Sequence, residues 1–229
     1  MGVGGVTRAV LLDALGTLVE LPPPGPALAE ELAARGARVR EAEAEWAIAA
    51  EIAFYRSHMA HARDAEAVDD LRARCTEVLR SALPAHARGV DDLQGALLGA
   101  LRFRAYPEVP EALAAWRAAG LRLVVASNWD ASLHEVLDRT GLAALVDGAI
   151  ASAELGHAKP DPAHFAAALD LAGVPAAEAL HVGDSLDADV GGARAAGIEA
   201  VLVVRRGPAP PGVRCVSGLD ELTSSLTGT

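Results

Sequence analysis

One pattern limits this chain more than any other. After residue 102, short apolar runs alternate with stretches of helical periodicity. Residues 121–126 lead to Ser127-Asn128, residues 179–182 lead to Gly183-Asp184, and residues 148–152 and 200–204 read as further strands. Between them, residues 110–119, 132–140, 162–172 and 190–196 carry the i, i+3, i+4 spacing of helices, and residues 213–216 read as a last short strand. Near the N-terminus, residues 7–12 form one more apolar run that ends at Asp13. Strands joined by single helices form a parallel sheet, because a parallel neighbour is reached only by a crossover, and the crossover helices cover both faces. Such sheets bind ligands outside the carboxyl ends of their strands, where the polar residues sit.

The stretch between these two parts reads differently. Leu21-Pro22-Pro23-Pro24-Gly25-Pro26 is expected to break regular structure. From Ala27 to about Leu101 no strand pattern occurs, whereas Leu28 with Leu32 and residues 46–55, 71–83 and 93–101 fall at helical spacing. Hydrophobic residues make up 52% of the chain but aromatics only 3%, which favours Ala- and Leu-rich helices over an aromatic-rich β sandwich. The expected architecture is therefore an α/β, Rossmann-like core of residues 1–20 and 102–229. An all-helical cap domain of four or five helices, residues 21–101, would interrupt it. A chain of 229 residues buries roughly 70% of its unfolded surface and needs no covalent staple.

Composition excludes several classes. No apolar segment reaches the ~20 residues of a membrane span, and no signal-peptide pattern is found. Cys75 and Cys215 lie far apart without metal-ligand spacing, which fits a reduced, cytoplasmic setting. A formal net charge of -11 argues against nonspecific nucleic-acid binding. Gly2-Val3-Gly4-Gly5 precedes the first strand, whereas a dinucleotide-binding loop follows one. Monomer and homodimer both remain open.

The chemistry gathers at four points: Asp13, Ser127 with Asn128, Lys159 just before Pro160, and Asp184 with Asp189. Carboxylates converging from separate strands repel unless a cation sits among them, and Mg²⁺, an oxygen-seeking ion that keeps waters, suits the cluster. Lys159 would balance remaining charge and contact an anionic substrate. The Ser127 hydroxyl and amides beyond the strands can hold phosphate oxygens. These parts suit phosphoryl transfer, in which positioning and charge neutralisation do most of the work.

Asp13-Ala14-Leu15-Gly16-Thr17-Leu18 resembles the first motif of the haloacid dehalogenase superfamily, usually D-x-D-G-T-L. Val124-Val125-Ala126-Ser127-Asn128 is similar to the second, Lys159-Pro160-Asp161-Pro162 to the third, and Val182-Gly183-Asp184 through Asp189 to the fourth. The helical insert after the first motif is similar to the cap of the subfamily containing phosphoglycolate phosphatases and haloacid dehalogenases. The resemblance implies that Asp13 is a nucleophile forming an aspartyl intermediate. Ser127 and the Asn128 backbone would hold the transferring group, and Lys159 would stabilise charge. Mg²⁺ would be held by Asp13, the backbone carbonyl of Leu15 and Asp184, with Asp189 acting directly or through water. Thr17 shapes the loop after Asp13 and is counted among the substrate-binding residues. Tyr55 and Arg56, in a cap stretch with His58, His61 and Arg63, are candidates for selecting a small phosphorylated substrate.

One position departs from the motif. Phosphatases of this superfamily carry a general acid–base Asp two residues after the nucleophile, and here Leu15 stands there. Dehalogenases also lack it, because halide leaves without a proton, so 2-haloacid hydrolysis is the alternative reaction. The metal-binding fourth motif points away from that reading. A weakly active or noncatalytic binding protein is the third possibility. Taken singly, each residue has a plainer reading: Asp13 as a turn residue, Asp189 or Ser127 as a helix cap, Lys159 as a surface lysine. Trp129 and Asp130 are expected at the pocket mouth, and Asp187 in solvent.

Overall fold

A computed structural model of the chain describes residues 6–228, so Gly2 to Gly5 lie outside the described residues. The chain forms two compact units. One is Leu21–Phe103; the other runs up to Glu20 and resumes at Arg104.

The first unit holds α1 (Pro24–Ala34), α2 (Glu41–His58), α3 (Ala65–Ala82) and α4 (Leu93–Ala100). The proline cluster does not break regular structure throughout, since α1 begins inside it. First-turn amides have no acceptor within a helix, so Pro24 and Pro26 forfeit no bond there, and the fixed proline φ suits the first turn. α3 starts at Asp64, whose carboxylate accepts from the Ala67 amide at 2.9 Å. Leu28, Leu32, Ala47, Leu79 and Leu97 are fully or almost fully buried. Glu51 of α2 is buried too, at 4% exposure. Burial raises its carboxyl above the usual range, and a hydrogen bond with Cys75 offsets only part of this.

The second unit contains β1 (Ala9–Leu12), β2 (Val19–Glu20), β3 (Arg104–Ala105), α5 (Val109–Ala118), β4 (Arg122–Ser127), α6 (Leu133–Arg139), β5 (Gly148–Ala151) and α7 (Ser152–Leu155). It continues with α8 (Pro162–Ala172), β6 (Ala179–Gly183), α9 (Gly192–Ala195), β7 (Glu199–Val203), β8 (Cys215–Val216) and α10 (Thr223–Thr227). Six strands form a parallel sheet in the order β5-β4-β1-β6-β7-β8, with helices around it. This is the expected α/β arrangement. Ala9 and Leu11 pack with Val124, Ala126, Phe165 and Ala168 in one apolar cluster, and Val10 and Leu12, on the other face, are equally buried. No helix among the described residues is long and apolar enough to cross a membrane.

Sheet order and register decide where the site falls. β4 and β6 flank β1, and Leu12 pairs with Val125 on one side and Val182 on the other. The residues just beyond these pairs, Asp13, Ser127 and Asp184, therefore emerge at one edge. The chain runs from β1 to β4 and β5 in one direction and from β6 to β8 in the other, so this edge is also the switch point of the sheet.

Two local features escaped the periodicity. β2 and β3 pair antiparallel, Val19 with Ala105 and Glu20 with Arg104, and two-residue strands are too short to show alternation. The helix expected over residues 190–196 is preceded by a π-helical turn, Leu186–Gly191. It begins at Ser185, whose carbonyl accepts from both the Asp189 and Val190 amides and whose hydroxyl accepts from the Ala188 amide. The wider turn carries Asp189 back toward the strand it left.

Candidate active site

Asp13 follows β1 directly, its backbone amide held by the Val182 carbonyl at 2.9 Å. Its side chain is 9% exposed. One oxygen, Oδ1, accepts from the Ser127 hydroxyl at 2.9 Å and from the Lys159 ammonium at 2.7 Å. The same ammonium donates to Asp189 Oδ1 at 2.6 Å. Lys159 is placed by its own backbone: its amide donates to Asn128 Oδ1 at 2.7 Å and its carbonyl accepts from Asn128 Nδ2 at 2.9 Å. α8 begins just beyond, where Asp161 accepts from the Ala163 amide and Pro162 takes the first helical position.

Burial alone would lower the Lys159 ammonium pKa. The charges of Asp13 and Asp189, with the hydrogen bonds to both, outweigh burial and raise it, so the ammonium stays charged. For Asp189, burial would raise the carboxyl; the hydrogen bond from His181 and the Lys159 charge instead hold it well below the usual carboxylate range. His181, in the buried strand β6, contacts Asp189 Oδ1 through Nε2 at 2.9 Å. Burial keeps the imidazole below its usual range and hence neutral, so Nε2 carries the proton toward the carboxylate. The second Asp189 oxygen accepts from the Ser185 amide at 2.9 Å. Gly183 is required here, because a Cβ at that position would collide with the Asp189 carboxyl.

Asp184 is the contrasting member. It is exposed, and oxygens of Asp13, Asp184 and Asp189 all lie within 4.8 Å of one another. Partial desolvation, then the charges of Asp13 and Asp189, raise its carboxyl to about 6. Three carboxylates face one lysine, so two negative charges remain uncompensated at neutral pH. An all-oxygen donor set with that surplus fits a hard divalent cation such as Mg²⁺. Gly16, at φ +83°, lets the chain pass close to Asp184; a Cβ there would strike the Asp184 carboxylate.

A family model described as haloacid dehalogenase-like hydrolase matches residues 7–197. The chain belongs to that family. Haloacid dehalogenase-like hydrolase domain-containing protein 3 of Bos taurus is 39% identical over 111 residues, 48% of this chain and 44% of that protein. A plasmid-encoded phosphoglycolate phosphatase of Cupriavidus necator is 40% identical over 122 residues, 53% of this chain and 52% of that one. The chain thus spans about half the length of the curated relatives it matches. The crystal structure of a 2-haloacid dehalogenase from Pseudomonas syringae pv. Tomato aligns over 97% of this chain and 99% of that chain, with 26% identity and a TM-score of 0.66.

In this haloacid dehalogenase-like hydrolase, then, the described residues bring Asp13, Ser127, Asn128, Lys159, Asp184 and Asp189 to one edge of the sheet. Leu15 follows in the turn after Asp13, 39% exposed, and Thr17 is fully buried with a hydroxyl that finds no partner among the described residues. Asp187 faces solvent as expected. Trp129 and Asp130, beside Ser127 and Asn128, are buried. They are 6% and 2% exposed, and Asp130 Oδ1 accepts from the Ser132 amide at 2.8 Å, so the pair secures the chain entering α6. Tyr55 and Arg56 lie on α2 of the helical unit, half-buried and exposed respectively. His58 stacks on Phe54 and contacts its carbonyl through Nδ1 at 2.8 Å, a local role within α2. His181 was missed by sequence reasoning. A single imidazole inside an otherwise apolar four-residue run, eight positions before Asp189, was the available signal.

Proposed function

We propose that this hydrolase cleaves phosphate monoesters of small metabolites, with Asp13 attacking phosphorus to form an aspartyl-phosphate. The surplus of two negative charges around Asp13 and Asp184 carries the reading, because it leaves a place for a divalent cation that halide displacement does not need. Asp13, Asp184 and the Leu15 carbonyl would hold Mg²⁺, which would neutralise oxygens of the substrate phosphate and draw it against the nucleophile. Lys159 anchors Asp13 through Oδ1 and reaches the developing charge on the phosphoryl group. Ser127 orients the same carboxylate and offers its hydroxyl to a phosphoryl oxygen, assisted by the Asn128 amide. Asp189 has Oδ1 committed to Lys159 and His181 and Oδ2 to Ser185, so its main part is to hold Lys159 in place. The similarity to a phosphoglycolate phosphatase supports this class of substrate. Tyr55 and Arg56 are proposed to select among such substrates.

Leu15 cannot protonate a leaving group, and the loss of general acid–base help typically costs about 10² to 10⁴ in rate. Substrates whose leaving groups depart without a proton should therefore be preferred. Leu15 also suits the second reading, displacement of halide from a 2-haloacid. An assay with an activated aryl phosphate and Mg²⁺ separates the two. Phosphate release that requires the metal and disappears in Asp13→Asn supports the phosphatase. Halide release from a 2-haloacid in the presence of a chelator replaces it with the dehalogenase.

A further inference from the structure

Residues 13–18 form a tight turn in which four of the six carbonyls, those of Ala14, Gly16, Thr17 and Leu18, accept hydrogen bonds. Ala14 accepts from the Leu18 and Val19 amides at 2.8 and 2.9 Å, and Leu18 accepts from the Tyr106 amide at 3.1 Å. The carbonyls of Gly16 and Thr17 go to Arg205, beyond β7 and 188 positions away from Thr17. Its Nη2 donates to Thr17 at 2.6 Å, and its Nε makes a longer contact to Gly16 at 3.4 Å. Nη1 is held by Glu108 and by the Ser217 carbonyl, and the guanidinium lies 3.7 Å over the Tyr106 ring. The side chain is only 15% exposed. The Leu15 carbonyl, by contrast, accepts from no donor among the described residues.

We propose that Arg205 is a positioning residue for the nucleophile turn: by holding the Gly16 and Thr17 peptides it sets the direction of the Leu15 carbonyl and keeps it available to a divalent cation beside Asp13 and Asp184. A planar fork gripping two successive carbonyls while stacked on Tyr106 is a task lysine performs only in part, since its ammonium is a point donor without a face. Glu108 and Ser217 fix the fork from behind, so Arg205 couples the end of β7 to the turn after β1. The activity arm of this inference rests on the phosphatase reading; the metal arm does not.

The test uses the full chain and Mn²⁺ alone, an oxygen-preferring ion that is visible by electron paramagnetic resonance. Removing a residue that orients a ligand typically costs about 10- to 100-fold in metal affinity. Arg205→Ala is expected to weaken Mn²⁺ binding by that factor. With the aryl phosphate it should lower kcat about tenfold or more while KM stays within about twofold, as for a contact that matters in the transition state. Arg205→Lys should fall between Arg205→Ala and the unaltered chain, and Glu108→Gln should give a smaller loss in the same direction. If Arg205→Ala folds poorly, the lysine and Glu108 variants carry the comparison. Unchanged Mn²⁺ affinity in Arg205→Lys and Glu108→Gln, or a lowered melting temperature with Mn²⁺ affinity and kcat intact, would overturn the proposal. Should the unaltered chain release no phosphate, the phosphatase reading fails, and the Mn²⁺ titration still decides the role of Arg205.

Discussion

Lys159 and Ser127 meet Asp13 on the same oxygen, at 2.7 and 2.9 Å, so Oδ1 is the anchored end of the carboxylate. No donor among the described residues takes Oδ2. A carboxylate held in this way is fixed in direction and still has one oxygen to present. The arrangement follows from sheet order: β1 lies between β4 and β6, and the cross-link of Lys159 to Asn128 draws the loop before α8 over the same edge.

The ammonium of Lys159 is also structural. With a side chain 2% exposed between two carboxylates, it compensates charges that have no other route to water. Breaking a buried ion pair by removing one partner costs about 3–5 kcal/mol. At about 2–4 °C per kcal/mol for a chain of this size, Lys159→Met is expected to lower the melting temperature by roughly 6–20 °C. Scanning calorimetry in a chelator checks this, and added Mg²⁺ should recover part of the loss.

Leu15 predicts a substrate-dependent gain. Leu15→Asp supplies a carboxyl where the family's phosphatases carry their general acid–base. Hydrolysis of an alkyl phosphate, whose leaving group needs a proton, should rise by about tenfold or more, within the range such catalysis provides. Hydrolysis of an activated aryl phosphate should change little. Steady-state kinetics on the two substrates gives the comparison.

Glu51 predicts a pH effect within the helical unit. Its folded carboxyl lies above the unfolded value because of burial. At low pH both states hold the proton and there is no penalty; as pH rises through the raised value, the folded state must ionise in an apolar surrounding and loses stability. Glu51→Gln should therefore melt at least about 2 °C higher than the unaltered chain near pH 8 and no higher near pH 4, given the usual slope of melting temperature on free energy.

Much of this architecture was legible in the residues. The strand ends at Asp13, Ser127 and Asp184 were found because each closes an apolar run, and 3.6-residue spacing located the helices. Lys159 came from its motif, since a lysine before proline has no periodicity of its own. What stayed hidden depends on long-range geometry. Arg205 reaches back 188 positions to Thr17, and nothing around Val204-Arg205-Arg206 announces that contact. The π-helical turn before α9 arises from one serine carbonyl accepting two amides, a choice that sequence spacing does not encode. The proline cluster misled because proline disrupts a helix interior but suits its first turn.

The most direct test of Asp13 as a phosphoryl acceptor is mass spectrometry of the peptide containing it, acid-quenched during turnover of an aryl phosphate with Mg²⁺. The expected result is a phosphoryl adduct on Asp13 that accumulates, decays in water and is absent when the metal is chelated. An unmodified Asp13 peptide throughout sustained phosphate release would contradict it.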